Sequence, residues 1–357
     1  METIIKPFQL AIAAELIKNY SGKTPFISYF NEQCKLHKNW GSRDRKIYRQ
    51  ACYAYLRLGH ITDQNSIENN ILLGLQNPEN IASQIDLKAI YPNHSQISKT
   101  IDKYEFFKNL LVQKPVYLAV LNNQHKLINN ELERNGIPFE YTSSNCIKVS
   151  ANAKCNSIID NGWAIIMDLA SQKAADSIII KSDSEVWDCC SGAGGKALFI
   201  ANKYKNALKL TCSDARFSIL ENLKNRFRIT KLALPHIELC DLKDPFQLPK
   251  KYDIIIADVP CSGSGTWGRT PEQIKQTDIQ KISFYADLQK MIVKNALRNL
   301  KPGGVFYYIT CSVFELENEK NVHFISQNLP LTLINQHYIH SDKNPCDYLY
   351  LAEFKGH

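Results

Sequence analysis

At 357 residues, with 44% hydrophobic and 22% charged positions, the chain is too long for one ordinary domain and has ample apolar surface for two or three cores. Its eleven cysteines are odd in number, scattered and without a C-x-x-C pair, which argues against a disulfide scaffold and a zinc site, and no segment approaches the roughly 20 apolar residues of a membrane span. The net charge of +8, with a pI near 8.8, is modest for the size, so its distribution matters more than its total.

The opening segment, Met1 to Tyr20, carries Glu2, Lys6, Glu15 and Lys18 among its apolar residues and reads as an amphipathic helix, not a signal peptide. The expected compartment is therefore a cytoplasm, where the thiols stay reduced. From Phe8 to about Asn109 apolar residues recur at three and four spacing, as in Ile47, Ala51, Ala54, Tyr55 and Leu58, punctuated by Gly22 with Pro25, Gly59, Asn77-Pro78 and Tyr91-Pro92-Asn93. This predicts an all-α N-terminal domain over residues 1–112. Within it, residues 31–60 hold seven basic side chains (Lys35, Lys38, Arg43, Arg45, Lys46, Arg49, Arg57) against Glu32 and Asp44, with Trp40, Tyr48, Tyr53 and Tyr55 interleaved. The pattern fits a nucleic-acid face. It fits equally a solvated helix surface whose aromatics turn into a helical core.

Residues 113–167 read as a small α/β connector: β-prone pieces at Val116 to Leu121, Phe139 to Thr142, Cys146 to Val149 and Trp163 to Met167 surround one helix near His125 to Arg134. After Glu185 strand and helix patterns alternate, with strands at Val186 to Cys190, Leu208 to Ser213, His236 to Cys240, Ile254 to Asp258 and Val305 to Ile309, and a long helix from about Asp278 to Asn299. Alternation of this kind implies parallel strands with crossover helices, so the predicted fold is α/β, a doubly wound Rossmann-like sheet over residues 168–357. Two last β-prone segments, Leu331 to Ile334 and Tyr348 to Phe354, could supply an antiparallel edge.

The run Cys190-Ser191-Gly192-Ala193-Gly194-Gly195-Lys196 lies between the first strand of that sheet and its helix, where glycines let a ligand approach backbone and a helix N-terminus offers N–H groups. A P-loop is excluded, because position 190 is Cys and position 197 is Ala. A dinucleotide fingerprint is formally met by Gly192, Gly194 and Ala197, with Asp214 placed for a ribose. S-adenosylmethionine is the third reading, with Asp214 on the ribose hydroxyls and Asp241 near the adenine. Turn or cap roles are the commoner fate of a single Asp. Three acids (Asp214, Asp241, Asp258) ending three successive strands make that less attractive.

Two cysteines also end predicted strands: Cys261 in Asp258-Val259-Pro260-Cys261-Ser262-Gly263, and Cys311 in Tyr308-Ile309-Thr310-Cys311-Ser312. In open α/β sheets chemistry collects where strands end, so two thiols there suggest a covalent reaction. An unperturbed thiol near pKa ~8.5 is only a few per cent thiolate at neutral pH, and lowering it by about 1.5 would raise the reactive fraction roughly tenfold. Lys196 is a candidate source of that lowering, its alternative being a simple helix N-terminal lysine. Asp258 emerges from a strand expected to be desolvated, and burial could raise its pKa. The loop from Trp267 through Arg269 to Pro271 offers an aromatic plane and a guanidinium for a base and a phosphate, although the Trp could equally be core.

These segments resemble the Sun/RsmB-type RNA 5-methylcytosine methyltransferases. Residues 188 to 196 (DCCSGAGGK) look like that family's cofactor loop, 258 to 272 (DVPCSGSGTWGRTPE) like its first cysteine motif, and 307 to 319 (YYITCSVFELENE) like its second. Residues 167 to 172 are similar to the entry of its catalytic core, and Gly41 to Gly59 to its N-terminal RNA-binding region. Ala193 stands where the family often has Pro, and Ala197 replaces a common Thr. The resemblance implies an S-adenosylmethionine-dependent RNA cytosine-5 methyltransferase. In it Cys311 attacks carbon 6 of the base, and Cys261, on the opposite side of the same pocket, serves the release step. Asp258 would hydrogen-bond the exocyclic amine of cytosine and, if protonated, ring nitrogen 3. The expected cofactor site is Cys190, Ser191, Gly192, Ala193, Gly194, Gly195, Lys196, Asp214, Asp241 and Asp258. The expected partner is RNA, ribosomal ahead of transfer RNA, with no membrane, no metal and a monomeric chain. The rivals are a nicotinamide-dependent dehydrogenase and a non-catalytic RNA-binding or assembly protein on the same scaffold.

Overall fold

The computed structural model describes residues 5–63, 65–205, 207–245, 248–341 and 343–357; Glu2, expected in the first helix, lies outside them. The chain divides into two compact units. One comprises Met1–Gln113 with Ser264–Lys281, the other Lys114–Gly263 with Ile282–His357. The stretch 168–357, expected as one continuous domain, is thus interrupted, because residues 264–281 pack with the helical unit.

The first unit is built from helices, among them Pro7–Asn19, Phe26–Leu36, Ser42–Arg57, Ile67–Gly74, Pro78–Gln84 and Lys103–Leu110. Their starts are written locally. Pro7 and Pro78 open helices where no N–H is needed, and Ser66, Asn77 and Asp102 accept backbone N–H groups of the first turns. Ala13, Ile17, Phe26, Phe30, Tyr48, Ala51, Cys52 and Ile71 meet in one core. Tyr48 is buried there, and Trp40, Tyr53 and Tyr55 pack half-buried against it, while Arg43 and Lys46 stay exposed. The aromatics of residues 31–60 therefore serve the helical interior and leave the surface to cations such as Arg43 and Lys46, whereas Arg57 is itself buried. Trp267 likewise is fully buried, its ring 5.0 Å from that of Tyr91 and 6.3 Å from that of Phe106. It is a core residue and cannot be the stacking plane for a base.

The second unit contains two sheets. Strands β1 (Val116–Val120), β2 (Phe139–Ser143), β3 (Cys146–Val149) and β4 (Ala164–Ile166) form an antiparallel sheet in the order β2-β3-β1-β4. Side chains alternate across a strand, so β1 and its flanks face two cores: Leu118 and Val120 join Ile128, Leu132 and Ile147, whereas Tyr117, Ala119 and Leu121 join the core of the larger sheet. Burial on both faces explains why this stretch reads as an unbroken apolar run.

The larger sheet comprises β5 (Glu185–Asp188), β6 (Lys209–Asp214), β7 (His236–Leu239), β8 (Tyr252–Asp258), β9 (Leu300–Thr310), β10 (Leu331–Ile339) and β11 (Leu349–Gly356) in the order β10-β11-β9-β8-β5-β6-β7. Strands β5 to β9 pair in parallel, and β10 and β11 close one edge antiparallel, as the two final β-prone segments suggested. The chain runs from β5 outward through β6 and β7, then returns to the other side of β5 for β8 and β9. That reversal opens a crevice at the C-terminal ends of β5, β6 and β8.

Lys114, at the start of this unit, is buried and donates from Nζ to the Cys346 carbonyl at 2.7 Å and to Asp347 Oδ1 at 3.2 Å. Removing one partner would strand the other charge in the interior, which costs about 3–5 kcal/mol, whereas replacing both by apolar residues is nearly neutral. Asp347→Ala should therefore lower stability by that amount in urea denaturation, and Lys114→Met with Asp347→Leu should recover most of it. Equal losses in the single and double variants would contradict this role.

Candidate active site

The turn after β5 feeds the helix Gly195–Lys203. Gly194 caps it at φ +78°, and a Cβ there would come within 2.9 Å of Leu223 Cγ, so this glycine is fixed by both backbone and packing. A Cβ on Gly192 or Gly195 would meet nothing within 4 Å, which leaves their backbone open to an approaching ligand. The loop is tied down from behind: the N–H and hydroxyl of Ser191 both donate to the Ser213 carbonyl (2.9 and 3.1 Å), and Arg226 Nη1 donates to the Ala193 carbonyl at 2.7 Å.

Asp214 ends β6 and accepts the Gly192 N–H at 3.1 Å, the Arg216 N–H at 3.0 Å and the Arg216 guanidinium at 2.9 and 3.1 Å. Burial works to raise its pKa, but these hydrogen bonds and the Arg216 charge outweigh it and hold the carboxyl below its ordinary value. A cavity of about 510 Å³ opens here. Cys190, Asp214, Arg216, Asp241, Asp258 and Cys261 form its polar wall, and Leu242, Phe284, Tyr285, Leu288 and Ile292 its apolar one. Of the glycine loop, Cys190 alone lines it.

The two cysteine turns leave neighbouring parallel strands. Asp258 of β8 stands opposite Ile309 of β9, and the Val259 N–H extends the ladder to the Ile309 carbonyl at 3.0 Å. Cys261 and Cys311 are consequently in contact, Sγ to Sγ 3.1 Å, both as free thiols. The sulfurs lie side by side, not across a pocket from one another, because equal strand ends deliver them together. The Cys311 hydrogen bond, with burial behind it, pushes the Cys261 thiol well above its ordinary pKa.

Lys196 Nζ meets Asp258 Oδ2 at 2.5 Å. Burial lowers the lysine's pKa, and the Asp258 charge more than restores it, leaving it raised. Its direct partner is thus a carboxylate and not a thiol. Asp258 is one-third exposed (33%) and ion-paired, instead of the desolvated acid its strand suggested.

Several groups at the site carry no obvious mark in the sequence. The Glu317 carboxylate is buried and accepts from the Ser262 N–H (2.8 Å), Ser312 Oγ (2.5 Å) and Gln289 Nε2 (3.1 Å), clamping one cysteine turn to the other. Burial pushes its pKa up, with those donors holding it back only in part. Asn318 donates to the Ser312 carbonyl and accepts from Thr310 Oγ1. Asp188, at the end of β5, is 1% exposed, and its Oδ1 has no hydrogen-bond partner among the described residues. Burial first, then the charges of Asp258 and Asp214, push its carboxyl up to about 7.

A parallel sheet in this strand order, with a glycine turn and acids around the crevice at its switch point, defines a Rossmann-like S-adenosylmethionine-dependent methyltransferase fold. Residues 177–344 match the family model of the 16S rRNA methyltransferase RsmB/F, which supports the resemblance to the Sun/RsmB family. It is 30% identical over 184 residues to the ribosomal RNA small subunit methyltransferase B of Vibrio vulnificus, covering 49% of this chain and 42% of that protein. Against the probable ribosomal RNA small subunit methyltransferase B of Bacillus subtilis it is 30% identical over 173 residues, 48% of this chain and 38% of that one. The chain therefore aligns with about two fifths of these relatives' length. In fold it is similar to the crystal structure of PH0851 (TM-score 0.78, 17% identity, 99% of this chain and 100% of that one). It is also similar to that of NSun6 from Pyrococcus horikoshii (TM-score 0.66, 14% identity, 74% of this chain and 97% of that one).

Asp188 generates a pH dependence. Its folded pKa of about 7 lies above the unfolded value of about 3.9, so the fold binds the extra proton. Below about pH 4 the group costs nothing, and the stability is lost as pH rises toward 7, by an amount on the order of 4 kcal/mol at most. Asp188→Asn should accordingly raise the melting temperature at pH 8 clearly more than at pH 5. A variant that gains no more at pH 8 than at pH 5 would contradict the assignment.

Proposed function

We propose that the chain transfers a methyl group from S-adenosylmethionine to carbon 5 of a cytosine in RNA, with ribosomal RNA ahead of transfer RNA as the substrate. One observation carries the reading: two reduced sulfurs in contact at the ends of adjacent parallel strands, one of them lining the cavity that Asp214 and Asp258 share. A dehydrogenase would leave both cysteine turns idle. The setting proposed is a cytoplasm and a monomeric chain.

The cofactor supplies an electrophilic methyl group. The loop Cys190 to Lys196 would hold its amino-acid part through its backbone, with Asp214 on the ribose hydroxyls and Asp241 near the adenine. Carbon 5 of cytosine is a poor nucleophile until something adds at carbon 6. Cys311 as thiolate makes that bond, leaving an enamine whose carbon 5 takes the methyl group. Cys261 then removes the carbon 5 proton, the double bond re-forms, and Cys311 leaves. Asp258 accepts from the exocyclic amine, a donor uracil lacks, and Lys196 holds that carboxylate in position. The target base must be unpaired or flipped out, since no thiol reaches carbon 6 inside a stacked duplex.

With tritiated cofactor and unmodified ribosomal RNA, Cys311→Ala should reduce transfer to background. Cys261→Ala should form an RNA adduct that survives denaturing electrophoresis, because the carbon 5 proton stays on. Residual activity in Cys311→Ala would remove the nucleophile assignment. RNA binding by the unmutated chain without any transfer would favour the non-catalytic reading.

A further inference from the structure

The helical unit contains a second cavity, of about 240 Å³, that the chemistry above does not use. One wall is the helix Ser42–Arg57, whose Arg49, Tyr53 and Arg57 recur every four residues and so share a face. Gln50, Gln76 and Gln113 complete the polar lining, and no aspartate or glutamate is among the lining residues.

Arg57 distinguishes this cavity from an ordinary surface cleft. It is 8% exposed and, among the described residues, makes no ion pair and leaves its Nε–H buried without an acceptor. The Tyr53 ring lies 5.5 Å from its guanidinium carbon and supplies a face but no counter-charge. Burial draws its pKa down to about 10, the direction of a cation taken from water without compensation. The Gln76 carbonyl oxygen is occupied by Gln84 Nε2 at 2.7 Å, which leaves the Gln76 amide N–H groups as the donors it has to offer. A buried, unpaired guanidinium is costly to keep, and its planar fork matches a phosphate.

We propose that this cavity binds a phosphate group of the RNA strand, with Arg57 as the anchoring donor and Arg49 as the second cation. The proposal rests on RNA being the substrate but not on methyl transfer. It would hold one nucleotide's backbone in the helical unit without reading its base.

The test uses the full chain without cofactor and two single-stranded RNA oligonucleotides of unrelated sequence. Arg57→Met should weaken both about tenfold at low salt and flatten the slope of log K against log salt by about 0.7, the share of one phosphate contact. It should melt no lower than the unmutated chain, since it removes an uncompensated charge, and inorganic phosphate should raise the melting temperature of the unmutated chain more than that of the variant. Arg57→Lys should keep the salt slope. Unchanged RNA affinity and slope in Arg57→Met overturn the proposal, whether or not the variant melts lower. Should that variant fail to fold, Arg57→Lys and phosphate protection decide: no phosphate-induced shift in either chain overturns it. Loss of methyl transfer with Arg57-dependent binding intact would sink the proposed function and leave this site standing.

Discussion

The site depends on one constraint, the parallel pairing of β8 with β9. Cys261 and Cys311 are fifty residues apart in sequence, and nothing local could place their sulfurs 3.1 Å from each other. The ladder does so by setting Asp258 against Ile309 and continuing through Val259, so that both strands stop at the same height. Beyond the last rung the chain no longer has a partner strand, and Glu317 takes over. Its buried carboxylate binds the backbone of one turn and the serine hydroxyl of the other. A carboxyl in that position is costly to bury, and three donors are what make it tolerable. The sheet sets the register and Glu317 keeps it.

The same strand ends gather charge. Asp188, Asp214 and Asp258 close β5, β6 and β8, and three carboxyl groups in one crevice repel. The structure settles the conflict in three different ways. Asp214 is neutralised by Arg216 and by backbone donors. Asp258 is paired with Lys196. Asp188, buried beneath them with one oxygen unmatched, has its pKa raised instead. The environments of Asp188 and Asp214 thus push two neighbouring carboxyl groups in opposite directions.

Much of this was legible in the sequence, and the exceptions share a cause. The alternation after Glu185 gave the doubly wound sheet, and the strand-end positions of Cys261, Cys311, Asp214 and Asp258 marked the crevice, because short apolar runs bounded by turns are local signals. Fates set by long-range packing were not legible. Trp267 follows the first cysteine turn in sequence yet is buried against Tyr91 and Phe106. Residues 264–281 leave the sheet unit altogether. Lys196 sits in the glycine loop, and only the fold reveals that its amine is taken by Asp258. Glu317 and Asp188 look like any acid in a polar stretch or at a strand end. Their role comes from being buried, which no residue type announces.

Contact between the two sulfurs also orders their protons. A thiol and a thiolate 3.1 Å apart share one proton more readily than they hold two charges, which is why Cys261 is pushed upward by its neighbour before burial adds to the effect. On the proposed reaction this asymmetry has a direction. While Cys311 carries the negative charge, Cys261 keeps its proton and donates to it, so the nucleophile is paired and the second thiol cannot compete for the base. Once Cys311 is bonded to carbon 6 its charge is gone and the hydrogen bond loses its acceptor. The largest of the effects that hold the Cys261 proton then disappears, while burial and the Glu317 charge remain.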